Sequence, residues 1–189
     1  NADNLIDKIL NSDDNKRQLF KEDFYLNIKI DQVYIDKEND LKNLKGNLSI
    51  KDNKVNFAKL SSVFSNNEKF ILSIKSNKDQ KITSFFSDKA KPIVKRYKFI
   101  KGFENGTLEF YSKKINNKSS SSLKIFDFKL QELPALTKLL TLASLQGIAD
   151  TLTGEGIRFN ELEMNFTNQG NLMTIDEIYA IGPAISILM

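Results

Sequence analysis

From Phe24 to Ile30 apolar and polar positions alternate strictly. Phe24, Leu26, Ile28 and Ile30 fall on one side, and Tyr25, Asn27 and Lys29 on the other. A period of two is that of a strand with one buried face. Val33 and Ile35 resume in the opposite phase, which predicts a bulge near Asp31-Gln32. Leu44, Gly46, Leu48 and Ile50 alternate again, Lys51 to Lys54 reads as a turn, and Val55 and Phe57 continue on a return strand. Asn66-Asn67 is a further turn signal, followed by Phe70, Leu72 and Ile74 facing one way and Ile71, Ser73 and Lys75 the other. The pattern predicts a meander of antiparallel hairpins, each apolar on one side.

The second half is read in the same way. Asn105-Gly106 is a turn signal ahead of a strand that begins with Leu108 and Phe110. Ile115 to Ser122 (INNKSSSS) reads as a polar, flexible hairpin loop. Leu123 and Ile125, then Phe126, Phe128 and Leu130, change phase, which predicts another bulge. Ile157, Phe159, Leu162, Met164 and Phe166 form a strand, Asn168 to Asn171 a turn, and Met173, Ile175, Tyr179 and Ile181 the return. About eight or nine strands are expected.

Helical spacing appears in three places. The principal one is near 134–152, where Pro134 suits a first helical turn. There Leu136, Leu139, Leu140, Ala143, Leu145 and Ile148 contribute to a wide apolar arc. Its bland reading is a core helix packed on the sheet; the sharper reading is a helix lying over an apolar groove or at a membrane interface. Short helices are expected near 3–11 and 91–97, the latter starting near Lys91 with Pro92 in its first turn. The fold class expected is mainly β with helices (α+β): a curved antiparallel sheet with one long amphipathic helix. A helix is about 10 Å wide and strands sit about 4.8 Å apart, so one long helix covers only a few strands. Some apolar sheet face is therefore expected to remain uncovered by helix. The bland reading of that face is one side of a filled core; the sharper reading is a groove for acyl chains.

Composition narrows the chemistry. The chain of 189 residues has no cysteine, histidine or tryptophan, which excludes disulfides, the usual zinc sites, cysteine nucleophiles and imidazole bases. No phosphate-cradling glycine loop or serine elbow is present. Glu161 with Glu163, and Asp176 with Glu177, read as solvated carboxylates. Catalytic residues, metal and cofactor are all expected to be none, and the chain to be no enzyme. The net charge of +4 is too small and dispersed to argue for nucleic acid. Lys89, Lys91, Lys95, Arg96, Lys98 and Lys101 form a basic cluster, read either as a solvated face or as a contact for anionic lipid head groups.

The run from Asp127 to Pro183 resembles the C-terminal region of large AsmA-like proteins. The residues that carry the likeness are Asp127-Phe128, Pro134, Ser144-Leu145-Gln146-Gly147, Gly154-Glu155-Gly156-Ile157-Arg158-Phe159 and Gly182-Pro183. That resemblance implies the periplasmic part of a protein anchored in the inner membrane of a Gram-negative envelope. It also implies a β-groove contacting phospholipid acyl chains, continued by neighbouring segments of the same long chain. Residues 1–189 are then one segment of such a groove and a piece of a larger protein. The lining expected is Phe24, Leu26, Ile28, Leu48, Ile50, Phe70, Leu72, Leu108, Phe110, Phe128 and Met164. The function implied is a segment of a conduit carrying phospholipid between the two membranes. The alternative is a structural or scaffolding module that binds protein partners and no lipid.

Overall fold

The computed structural model describes residues 22–96, 102–131, 156–183 and 186–188. Among these residues ten strands form a single antiparallel sheet in which every strand lies beside its neighbour in sequence. They are β1 (Phe24–Tyr34), β2 (Asp40–Lys51), β3 (Lys54–Phe64), β4 (Lys69–Asn77) and β5 (Gln80–Ser87), followed by one short helix, α1 (Lys91–Arg96). Then come β6 (Phe103–Ile115), β7 (Lys118–Leu130), β8 (Ile157–Gln169), β9 (Leu172–Ile181) and β10 (Ser186–Leu188). β1 and β10 are the two edges.

This corrects the expected α+β class. The described residues hold no helix of seven residues or more, and a single sheet accounts for nearly all of them. Of the three expected helices, the one near 91–97 is present as α1. Those near 3–11 and 134–152, with Leu136, Leu139, Leu140, Ala143, Leu145 and Ile148, lie outside the described residues.

Three local expectations are also corrected. First, the polar run INNKSSSS is not a loop: only Asn116-Asn117 turns, and Ser119 to Ser122 are paired on both sides by β6 and β8. Backbone pairing is indifferent to side-chain hydrophobicity, and Ser121 donates to the Ser112 hydroxyl at 2.9 Å. Second, Asn105-Gly106 is no hairpin turn but an irregularity inside β6, at φ 62° and 83°. Its carbonyl at Gly106 accepts from the Ala90 N–H at 2.6 Å and ties the α1 segment to the sheet. Third, β1 and β2 keep one register past Asp31-Gln32. The displaced residue is Asn43 of β2, at φ 54°, and the register shift falls between β2 and β3 at Lys42/Lys45.

The two ends of the sheet differ. At the lower end the connections are two-residue turns, Asp52-Asn53, Lys78-Asp79, Asn116-Asn117 and Gly170-Asn171. Asp52, Asn53, Asn116 and Gly170 take positive φ there, the conformation tight hairpins demand. The upper end carries the longer connections, α1 among them. Ala90 and Val94 are buried in one cluster with Leu108, Ile125, Phe128 and Phe159, so α1 sits on the apolar side of the sheet. Lys95 reaches Glu38 in the β1–β2 connection at 3.3 Å. Between β2 and β6 lie four strand spacings, about 19 Å. The α1 segment and its side chains therefore cross the upper end of the apolar face.

Candidate functional site

The strand registers define the site. Reading partner to partner across nine strands gives Ile28, Gly46, Leu60, Leu72, Phe85, Phe110, Leu123, Met164 and Ile178. Every member except the glycine is apolar. Eight spacings of about 4.8 Å make this row about 38 Å long. Eight of the nine are half-buried, and only Ile178 is buried outright. The adjacent row on the opposite face reads Lys29, Lys45, Ser61, Ile71, Phe86, Glu109, Lys124, Glu163 and Tyr179. The sheet is thus apolar on one side and mixed on the other, as a half-solvated antiparallel sheet should be.

All eleven expected lining residues fall on the apolar face. Ile28, Leu72, Phe110 and Met164 are in the row itself. Phe24 with Ile50, and Leu26 with Leu48, are partners on the same side of β1 and β2. Phe70 faces the Phe85 ring edge-on at 5.0 Å, and Leu108 and Phe128 join the buried cluster under α1. They do not share one environment. Ile50, Leu108 and Phe128 are buried, Leu26 is 44% exposed, and the rest lie between. The exposed members of the face gather toward its margins, at Leu26 and Ile30 on β1 and at Met173 and Ile175 on β9.

One break in the row has a structural cause. Gly46 has φ 151°, and a Cβ there would collide with the Lys59 carbonyl oxygen. The bulged β2 backbone lies so close to β3 that only glycine fits.

The basic cluster is not presented as one open patch. Lys89 lies over the Phe64 ring at 5.7 Å, Lys91 pairs with Glu104 at 3.5 Å, and Lys95 pairs with Glu38. Lys98, Lys101 and the side chain of Arg96 lie outside the described residues. Two other lysines do stand on the apolar face, Lys81 and Lys114, which are cross-strand partners. Burial, and secondarily the charge of Lys114, hold the Lys81 ammonium below the usual lysine range. Alternation in apolar residues gave no hint of them. The signal available was lysine at in-phase positions of a strand pattern, in the order Lys81, Thr83, Phe85.

The opposite face holds a shallow cavity of about 340 Å³ bordered by Ile71, Phe86, Glu109, Tyr111 and Lys124. Lys124 there is engaged by Glu163 at 2.8 Å. Among the described residues no cluster of acidic side chains could hold a metal ion, and no helix is long and apolar enough to cross a membrane. No protein-family model, no curated protein and no solved structure matches the chain.

Proposed function

We propose that the apolar face is a lipid-binding track, one segment of a conduit along which phospholipid moves between the two membranes of a bacterial envelope. The observation that carries this reading is the row from Ile28 to Ile178, apolar on every strand but β2, where Gly46 stands. It runs across the strands without a charged residue, on a single sheet with no second sheet against it among the described residues. A single small-ligand pocket would need only a local patch, whereas a row of about 38 Å offers apolar contact on eight of its nine strands. Each methylene kept from water is worth about 0.8 kcal/mol, so a chain sliding along such a surface avoids a penalty that open water would impose all at once. No covalent step is required, and the chain acts as no enzyme. The resemblance to AsmA-like proteins, the periplasmic location and the continuation into neighbouring segments belong to the same proposal.

The test is native mass spectrometry of the purified chain, with solvent extraction of what it carries. Co-purified phospholipid in stoichiometric amount supports the track. A protein free of lipid, and unable to take it up from vesicles, supports the scaffolding alternative, in which partners pair with the edge strands β1 and β10.

A further inference from the structure

The lower margin of the apolar face is not apolar. Ser76, Lys81, Lys114, Ser119 and Asn168 lie opposite one another in turn across β4 to β8. Two residues further up the strands, β5 to β7 carry Thr83, Ser112 and Ser121. Two residues beyond those stand Phe85, Phe110 and Leu123 of the apolar row. The two-residue period places all three levels on one face. Lys81 and Lys114 therefore stand side by side at the foot of the track.

This pairing is unfavourable as it stands. Like charges directly opposite in an antiparallel pair destabilise it. Both side chains are half-buried, which weakens the screening that water would provide. Among the described residues neither lysine makes an ion pair, whereas Lys91, Lys95 and Lys124 each reach a carboxylate. The acid closest in sequence, Asp79, sits in the β4–β5 turn, where its carbonyl accepts from the Asn116 N–H. An anion placed between the two ammonium groups would turn the repulsion into attraction.

We propose that Lys81 and Lys114 bind the phosphate-bearing head group of a phospholipid whose chains lie on Phe85, Phe110 and Leu123. The four residues separating Lys81 from Phe85 span about 13 Å. Within that span the hydroxyls of Thr83, Ser112 and Ser121 form a polar step between charge and hydrocarbon. The upper end of the face is crossed by the α1 segment and its aromatic cluster, so chains point up and head groups down. The inference rests on the lipid-track reading and adds an orientation and a preference for anionic lipid.

The test offers the purified chain phosphatidylcholine vesicles containing either phosphatidylglycerol or diacylglycerol. Lipid retained by the re-isolated protein is measured by mass spectrometry. The wild type is expected to retain phosphatidylglycerol about tenfold over diacylglycerol, the scale of a charge-assisted contact. The Lys81→Gln/Lys114→Gln double variant should fall to a ratio within about twofold. Lys113→Gln, on the opposite face, should keep the wild-type ratio. Because repulsion is removed, the double variant should melt no lower than the wild type. Should it melt lower, Lys114→Gln alone makes the same comparison. Equal uptake of both lipids by the wild type, or an unchanged preference in the variants, overturns the head-group site and leaves the track standing. Uptake of neither overturns the track itself. Stabilisation by inorganic phosphate that needs both lysines, without lipid uptake, identifies a free-anion site and overturns the head-group assignment.

Discussion

Phe128 of β7 stacks on Phe159 of β8, with ring centroids 5.1 Å apart and planes within 9°. Phe103 of β6 lies on the other side of Phe128 at 5.3 Å and 12°, so three rings from three consecutive strands form one pile beneath α1. Phe128 is 3% exposed and Phe159 1%. Phe128→Ala should therefore cost about 3–5 kcal/mol, the usual range for a buried phenylalanine. Urea unfolding monitored by circular dichroism measures it, and a loss below 1 kcal/mol would show that the pile is not a core.

Gly46 is the one position of the row where any side chain is excluded. Gly46→Ala must either twist β2 out of register with β3 or separate the strands at Lys59. The expected loss is about 2 kcal/mol or more, since a positive φ and a backbone collision add. Amide exchange should quicken first at Leu48, Ala58 and Leu60, and uniform exchange across the sheet would contradict a local cause.

Met164 is half-buried near the β9 end of the row, between Leu123 and Ile178. Met164→Gln nearly keeps the volume and adds polarity at the point where acyl chains would lie. Thermal stability should change by about 1 kcal/mol or less, as for other partly exposed sites. Co-purified lipid should fall several-fold. Tyr111→Gln, on the opposite face, should leave lipid content unchanged.

The Lys124–Glu163 pair gives a prediction in pH. The bond to Lys124 holds the Glu163 carboxyl below its usual range, and the bond to Glu163 holds Lys124 above its own. A depressed carboxyl contributes stability above its unfolded value, near 4.3, and loses it as pH falls through the folded value. A raised lysine contributes below about 10.4 and loses it as pH rises through the folded value. The pair is partly exposed and screened, so its share is about 0.5 kcal/mol on the plateau between. Glu163→Gln should lower stability by that amount at neutral pH and converge with the wild type in acid.

The strands that were legible in the sequence are those whose inward positions are all greasy, such as Phe24 to Ile30 and Phe70 to Ile74. β5 is not legible in the sequence because its inward positions are Lys81, Thr83, Phe85 and Ser87, which carry no apolar period. Ser119 to Ser122 read as a loop for the same reason: backbone pairing, and the hydroxyl bond from Ser121 to Ser112, leave no trace in hydropathy. Asn105-Gly106 signals positive φ, and positive φ serves an in-strand irregularity as well as a hairpin. The residues expected to line a groove share one face because alternation fixes parity even where strand ends are uncertain. The lysine pair was invisible for want of β5, without which Lys81 has no partner.

Strand order here follows chain order from one edge to the other. Removing or duplicating one hairpin would shorten or lengthen the sheet by about 10 Å and leave every remaining neighbour relationship intact. Reach is therefore an adjustable quantity in this architecture, open to change by gene duplication in steps of two strands wherever the hairpin lies outside the cluster packed under α1.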